Sequence, residues 1–175
     1  MKRPVLARAA RAPVLPLALR AMRLRDLDAV HAIEQRAYEF PWTRGNFIDS
    51  LAAGYRAELL VDARSRLVGY SIAMAGAGEM HLLNLTIAPE WQGRRHADVL
   101  LDSLVADCRD RSLPMLWLEV RAGNERARRL YRRRGFVEVG VRRDYYPAAR
   151  QAREDAIVMS ASVADAAHEP CDALV

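Results

Sequence analysis

A loop between a strand and a helix carries the residues with the clearest chemical meaning. The apolar run Met80 to Ala88 predicts a buried strand, and the apolar spacing from Ala97 to Cys108 predicts a helix. The loop between them reads Gln92-Gly93-Arg94-Arg95-His96. Such a loop directs unpaired backbone N–H groups and the positive end of the helix dipole at one point, which suits a phosphate group. Most strand-to-helix loops bind nothing, so the loop alone is a weak indication.

Two titratable residues further along interrupt apolar patterns. Glu119 lies within the apolar run Met115 to Val120, where it could act as a general base or could lie on the solvent face of an alternating strand. Tyr131 shares a helix face with Ala127 and Leu130, where it could be an acid or a core tyrosine bonded to the backbone. These residues alone leave both alternatives open.

The elements that must hold these residues form one α/β domain with a mixed sheet. Two apolar runs separated by Asp62 to Arg66 predict an antiparallel hairpin. Asn124 is a candidate N-cap for a helix that Gly135 ends, and Asp26 or Asp28 is a candidate cap for an earlier helix. The predicted strands are Val14 to Ala21, Ala57 to Val61, Leu67 to Met74, Met80 to Ala88, Met115 to Val120, Phe136 to Val141 and Ala156 to Val163, and the predicted helices run through Ile33 to Tyr38, Gly45 to Ala53, Ala97 to Cys108 and onward from Asn124.

We expect residues 1–12 to be a disordered extension, residues 13–163 to be the domain and residues 164–175 to be a flexible tail. The two cysteines, Cys108 and Cys171, are too few and too far apart for a disulfide framework or a CxxC metal site. His81 and His96 have no second ligand at metal spacing, so we expect no metal. No apolar run approaches the roughly 20 residues that cross a bilayer. We therefore expect a cytoplasmic protein without membrane contact.

The net charge of +5 is unevenly distributed along the chain. Residues 1–25 contain basic residues and no acidic residue, so the excess belongs to this segment and the remainder is slightly acidic. One basic stretch remains in the body, over residues 126–134. Such a stretch could bind phosphates or could be a solvated helix face.

Several segments, in matching order over about residues 14–163, resemble the GNAT acetyltransferase superfamily, and in particular its RimI-like branch of ribosomal-protein-alanine N-acetyltransferases. The segments that carry the resemblance are the loop Gln92 to Ala97, Trp117 to Asn124, Leu130-Tyr131, Arg134-Gly135-Phe136, Arg142 to Pro147, Arg153 to Ala156, Ile33 to Ala37 and Phe40-Pro41-Trp42.

This resemblance implies a GNAT-type acyl-CoA N-acyltransferase fold, a mostly antiparallel central sheet flanked by helices, with acetyl-CoA as cosubstrate. It implies direct attack in a ternary complex, with Glu119 as base and Tyr131 as the acid that protonates the departing thiolate. Asn124 would contact the pantetheine arm, which would pair with the strand backbone. The implied cofactor-binding residues are Leu85, Thr86, Ile87, Gln92, Gly93, Arg94, Arg95, His96, Ala97, Asp98 and Asn124.

Two positions of the loop depart from the family pattern. Arg95 stands where the family has glycine, which raises the conformational energy if the backbone there needs a positive φ. Its guanidinium could instead add a phosphate contact. Asp98 stands where a basic residue is common.

The acceptor that the resemblance implies is the N-terminal alanine of small-subunit ribosomal protein eighteen, free or on the ribosome, with no direct nucleic-acid contact. We expect the acceptor groove to have aromatic walls and acidic groups that hold a basic peptide. The expected aromatic residues are Phe40, Trp42, Tyr145 and Tyr146, and the expected acids are Glu34, Glu39, Asp144, Glu154 and Asp155.

Two other functions remain open at this stage. The chain could be a GNAT enzyme for a small amine, or a catalytically silent basic module that binds nucleic acid or the ribosome. The arginines of residues 126–134 favour the basic module, but they also suit the 3′-phosphate of the cofactor. Transfer to small amines but not to Ala-initiated peptides would favour the first of these alternatives.

Overall fold

The structure, a computed structural model, describes residues 16–164. These residues are organised around a seven-stranded sheet. Residues 1–12 and 165–175, which hold the predicted extension and nearly all of the predicted tail, lie outside that range. The elements in chain order are β1 (Leu17–Ala21), α1 (Leu27–Ala37), α2 (Arg44–Ala52), β2 (Arg56–Asp62), β3 (Leu67–Gly76), β4 (Glu79–Ile87), α3 (His96–Asp110), β5 (Met115–Arg121), α4 (Glu125–Arg133), β6 (Val137–Pro147) and β7 (Arg153–Ser162).

The strand order is β1-β2-β3-β4-β5-β7-β6, and every neighbouring pair is antiparallel except β4 with β5. That parallel pair is short, because Met80–Leu82 alone pairs with Leu116–Leu118. β4 also departs from regular pairing with β3 at Leu83, which lies between the paired residues Leu82 and Asn84. Beyond these points β4 and β5 are no longer paired, and a cleft opens between them.

Helices cover both faces of the sheet. Leu59 packs in a buried cluster with residues of α1 and α2, whereas its neighbour Leu60 packs against Leu100 of α3. Adjacent residues of a strand point to opposite faces, so these helices lie on opposite sides. The expected mixed, mostly antiparallel sheet flanked by helices is confirmed.

Local signals located the caps of two helices, although one cap residue lacks the expected hydrogen bond. Asn124 accepts a hydrogen bond from the backbone N–H of Ala127 as the predicted N-cap, and Gly135 has a φ of +82° just past α4. Asp26 occupies the N-cap position of α1 as predicted, but its side chain makes no capping hydrogen bond. The Asp26 carboxylate instead accepts from the N–H of Arg23, because a 3₁₀ turn precedes the helix.

The last two strands also differ from the sequence expectation. β6 continues to Pro147 rather than ending at Val141, because an irregularity between Arg142 and Tyr146 lets the strand resume its pairing with β7. This extension brings Tyr145 and Tyr146 onto the sheet. No helix in the described range 16–164 is long and apolar enough to span a membrane.

Candidate active site

A cavity of about 530 Å³ lies where β4 and β5 diverge. Its walls come from β4, the loop before α3, the end of β5, α4 and the segment after α1. Of the predicted site residues, those that line the cavity are Leu85, Ile87, Gln92, Gly93, Arg95, His96, Ala97, Asp98, Glu119, Asn124 and Tyr131. The topology therefore brings together residues of β4, the loop before α3, β5 and α4.

Thr86 and Arg94 are the two predicted binding residues that do not line this cavity. The buried Thr86 hydroxyl lies 2.9 Å from the Tyr38 hydroxyl, and the Arg94 guanidinium lies over the Trp91 ring at 5.3 Å. Side chains of adjacent residues in a strand point to opposite faces, so the Thr86 side chain points away from the cavity that Leu85 and Ile87 line. A contribution of Thr86 through its backbone remains a prediction.

The side chain of Gln92 joins the loop before α3 to β4 and to α4. Its Nε2 donates to the carbonyl of Ile87 at 3.0 Å, and its Oε1 accepts from Arg126 of α4 at 2.8 Å. Gly93 then adopts a φ of +80°, and no side chain caps the first turn of α3. The first N–H groups of a helix have no partners within the helix. This geometry suits a phosphate, as the sequence predicted.

Arg95 occupies the left-handed region, with φ 62° and ψ 16°. The condition stated above for a conformational cost is therefore met, and a non-glycine residue there costs about 1 kcal/mol. Its Nε lies 3.2 Å from Oδ2 of Asp98, while 65% of the side chain is exposed. The Asp98 carboxylate therefore contacts Arg95, and the pair brings little net charge to the cavity.

His96 begins α3 beside Trp91, with the two rings 5.8 Å apart. Its Nε2 is buried without a hydrogen-bond partner among the described residues. Burial, followed by the nearby Arg94 charge, lowers the pKa of this imidazole. The ring is therefore neutral at physiological pH and leaves a polar atom available at the phosphate loop.

Glu119 directly follows the last residue of β5 that pairs with β4. Its side chain is 25% exposed, and Oε1 lies 3.0 Å from Nε of Arg142. The Tyr146 hydroxyl donates to the Glu119 carbonyl at 3.1 Å. A hydrogen bond to Glu119 also raises the pKa of Tyr145. Three residues of β6 thus hold Glu119 in place. Arg142 was not among the predicted site residues, although it lies in a segment that carries the family resemblance.

A second cavity, of about 620 Å³, adjoins the first. Glu119 and Tyr146 line both cavities, while Arg142 and Tyr145 line the second alone. The expected aromatic walls are present, since Trp42 lines both cavities and Phe40 lines the first. Glu119 therefore lies between a cleft that suits a phosphate-bearing ligand and a separate cleft with aromatic sides.

The acids that we expected beside the acceptor mostly make structural contacts instead. Glu154 accepts from the N–H of Gly123 and pairs with Arg121, and Asp155 accepts from the N–H of Asp144. Of the expected acids, Glu34 alone lines either cavity, and it is buried. Glu39, Asp144, Glu154 and Asp155 thus line neither cavity, and the carboxylates of Glu154 and Asp155 instead satisfy backbone donors after β5 and within β6. The acids that line the second cavity are Glu79 and Glu119.

Glu34 belongs to a buried polar network between α1 and the sheet. Its carboxylate accepts from the Tyr70 hydroxyl and from the backbone N–H of Trp42, the latter at 2.9 Å. Asn84 donates to it at 3.4 Å. An acidic residue next to Ile33, on the buried face of a predicted helix, is the feature of the sequence that indicates such a buried carboxylate. The network fixes the segment after α1 against β4, where the two cavities meet.

Tyr131 is buried and lines the first cavity, with its ring 5.5 Å from that of Phe136. Burial, followed by the influence of Tyr38 and Tyr146, raises the pKa of its hydroxyl. The hydroxyl has no hydrogen-bond partner among residues 16–164. It therefore keeps its proton at physiological pH and can donate it into the cavity.

Residues 27–136 match the model of the acetyltransferase (GNAT) family. The [ribosomal protein bS18]-alanine N-acetyltransferase of Salmonella typhimurium is 39% identical over 135 residues, 77% of this chain and 90% of that relative. The chain belongs to the GNAT family of acetyltransferases. The Escherichia coli relative of the same name is 34% identical over 140 residues, 80% of this chain and 93% of the relative.

Solved structures agree with this GNAT assignment. The crystal structure of the ribosomal-protein-S18-alanine N-acetyltransferase from Escherichia coli superposes with a TM-score of 0.78 at 31% identity, covering 91% of this chain and 99% of that one. The resemblance to the GNAT family and its RimI-like branch is confirmed, as is the assignment as an acetyltransferase. GNAT acetyltransferases use acetyl-CoA as the acetyl donor.

Proposed function

We propose that this GNAT enzyme transfers the acetyl group of acetyl-CoA to the N-terminal alanine of ribosomal protein bS18. The observation that carries the proposal is the position of Glu119, which lines both adjoining cavities. A base that must meet an acceptor amine beside a separately bound acetyl donor needs such a position. The names of the Salmonella and Escherichia coli relatives supply the identity of the acceptor.

The first cavity is the proposed site of acetyl-CoA. Unpaired N–H groups at the start of α3 suit its pyrophosphate, and the amide nitrogen of Asn124, whose oxygen caps α4, is available to the pantetheine arm. Beyond Leu82 the backbone of β4 has lost β5 as a pairing partner, so it can pair with that arm. Bound acetyl-CoA supplies an activated thioester.

The second cavity is the proposed acceptor site. An N-terminal amine that enters past Tyr145 and Tyr146 reaches the Glu119 carboxylate, which takes its proton either directly or through one water. Loss of that proton makes the nitrogen a nucleophile towards the thioester carbonyl. Arg142 holds the carboxylate at this position.

Tyr131 is the proposed acid. When the new amide bond forms, the carbon–sulfur bond breaks and the sulfur leaves as a thiolate. The Tyr131 hydroxyl, which burial keeps protonated, supplies the proton that converts this thiolate to the thiol. The nitrogen loses its second proton as the amide forms, and this proton restores Tyr131, while the proton on Glu119 passes to solvent.

The acceptor peptide, free or on the ribosome, is the proposed partner. The proposed location is the cytoplasm, since bS18 is a ribosomal protein. We propose no direct nucleic-acid contact, because the acceptor cavity is lined by aromatic and apolar residues together with both signs of charge.

Mass spectrometry tests the substrate assignment. The purified protein is incubated with acetyl-CoA and a synthetic peptide of the bS18 N-terminus that begins with alanine. We expect a gain of one acetyl group on the α-amine and no gain on the same peptide with a blocked N-terminus. Acetylation of a polyamine but not of the peptide would contradict the proposal and favour a small-amine enzyme.

A further inference from the structure

The start of β4 carries an acid that lines the second cavity and has no role in the proposed chemistry. Met80 and Leu82 of β4 are buried in a cluster with residues of α3. Side chains alternate along a strand, so Glu79 and His81 point to the opposite face of the sheet. Both line the second cavity, and their side chains are 36% and 37% exposed. The Glu79 carboxylate is therefore within reach of a ligand in that cavity.

The charge of Glu79 is not balanced by an arginine. Its Oε2 lies 3.5 Å from Nε2 of His81, and within residues 16–164 no arginine or lysine lies within ion-pair distance of it. Glu119, the other acid that lines this cavity, differs in this respect, because it pairs with Arg142 at 3.0 Å. The end of the second cavity that Glu79 lines therefore attracts a cation.

A tight hairpin fixes the position of Glu79. The residue begins β4 directly after the two-residue turn of Ala77 and Gly78, and it pairs with Gly76 at the end of β3. The two turn residues have φ values of 51° and 79°, and positive φ at both central residues is typical of the type I′ turn that closes hairpins. The sheet thus sets the distance between Glu79 and the other residues of the cavity.

The strand register gives the distance from Glu79 to the proposed base. β4 and β5 are parallel, with His81 paired to Trp117. Glu119 lies two residues after Trp117, and its level on the sheet is therefore four residues beyond that of Glu79. Four steps of about 3.3 Å amount to about 13 Å along the strands. An extended peptide whose amine lies at Glu119 covers this distance with about four residues.

We propose that Glu79 binds a cationic side chain at the fourth or fifth residue of the acceptor peptide, so that the enzyme selects acceptors with arginine or lysine there. This inference rests on the proposed function, because it takes the second cavity as the acceptor site and places the amine at Glu119. Trp117 lies on the path between the two carboxylates and lines the same cavity. The apolar stem of a long cationic side chain packs against such a ring while its charged end reaches Glu79.

A polyamine is the other ligand that could place a second cation at this distance from the reacting amine. It carries further ammonium groups between its ends, and these groups also need partners. Among the residues that the structure describes, Glu79 and Glu119 are the only acids that line the second cavity, and the side chain between them on this face is the indole of Trp117. This arrangement favours a peptide, whose chain between its amine and a distant cationic side chain is uncharged.

Steady-state kinetics of the full chain with acetyl-CoA and a set of synthetic acceptors tests the inference. The peptides have six residues, begin with alanine, end in an amide and are otherwise uncharged, except for one arginine placed in turn at positions 2 to 6. A peptide with glutamine in place of the arginine is the reference. We expect kcat/KM to rise about fivefold when the arginine is at position 4 or 5, which is the size of a partly exposed ion pair.

Variants of Glu79 assign this preference to one carboxylate. Glu79→Gln should reduce the ratio of kcat/KM for the arginine and glutamine peptides to about one. Glu79→Lys should invert the preference, so that a peptide with glutamate at the same position becomes better than the arginine peptide. The matched control is Glu39→Gln, which removes an exposed acid that lines neither cavity and should keep the wild-type ratio.

Three results would overturn the inference. The first is acetylation of all the peptides by the wild-type protein at equal kcat/KM, which leaves the proposed function intact. The second is a preference for arginine that Glu79→Gln retains. The third is an equal loss of preference in Glu39→Gln, which would indicate the general charge of the surface rather than a subsite. Absence of acetyl transfer to every peptide, with transfer to a polyamine, would instead contradict the proposed function itself.

Discussion

Nε of Arg142 lies 3.0 Å from Oε1 of Glu119 and joins β6 to the end of β5. The same guanidinium lies 5.4 Å from the centre of the Tyr145 ring. Arg142 and Tyr145 belong to the same strand, whereas Arg142 and Glu119 meet only after β7 has paired between β5 and β6. Arg142 is therefore a positioning residue for the proposed base.

Replacement of Arg142 by alanine should lower kcat by about tenfold, because the Glu119 carboxylate loses the contact that fixes its orientation and small misplacements of a catalytic group are costly. The dissociation constant for CoA should not change, because Arg142 does not line the first cavity. Steady-state kinetics with the bS18 peptide and a CoA titration measure both. Partial recovery in Arg142→Lys would support a positioning role, whereas wild-type kinetics in Arg142→Ala would refute it.

Tyr131→Phe should lower kcat by about 10²-fold or more, the contribution of a positioned acid. The wild-type enzyme should show no loss of activity between about pH 8 and pH 10 that is due to this group, because the raised pKa of Tyr131 keeps the proton-donating form above the ordinary value of 10.0. A kcat–pH profile of both proteins checks this. A phenylalanine variant as fast as the wild type would remove Tyr131 from the mechanism.

Arg95→Gly should stabilise the fold by up to about 1 kcal/mol, because glycine adopts the left-handed conformation without strain, although the exposed pair with Asp98 is lost. Urea denaturation measures the change. Ser112→Gly is a matched control, since Ser112 has a φ of 55° at the far end of α3. If Ser112→Gly is stabilised and Arg95→Gly is destabilised, the Asp98 contact outweighs the backbone strain.

Tyr70→Phe should destabilise the fold by about 2 kcal/mol, because the buried Glu34 carboxylate loses a hydroxyl donor and a hydrogen bond to a charged group is strong. Chemical denaturation gives the change in free energy of unfolding. Tyr55→Phe serves as the comparison, since the half-buried Tyr55 makes no side-chain hydrogen bond within residues 16–164. Equal stability of the two variants would show that the Glu34 network adds nothing.

Features that depend on local chain geometry could be predicted from the sequence. The cap at Asn124 and the hairpin around residues 62–66 are decided by a few neighbouring residues. The grouping of the phosphate loop with Glu119 and Tyr131 followed from the family resemblance rather than from local pattern.

Features that depend on strand register could not be predicted. The irregularity at Leu83 and the early end of the β4–β5 pairing create the cleft, and neither has a local signature. The contact between Arg142 and Glu119 likewise requires β7 between their strands. The positions of Glu154 and Asp155 outside the cavities have the same origin, because their carboxylates meet backbone donors of Gly123 and Asp144.

The central claim is that Glu119 removes a proton from the acceptor amine between the two cavities. The most direct test is the rate of bS18 peptide acetylation by Glu119→Gln as a function of pH, with Glu58→Gln, which lines neither cavity, as the control. Near pH 7 we predict a rate about 10²–10⁴-fold below that of the wild type, with unchanged CoA affinity. The deficit should narrow as the pH passes the amine pKa of about 7.7–8.0, since the acceptor then loses its proton without a base. A rate equal to that of the wild type near pH 7, or a deficit that does not change with pH, would contradict the claim.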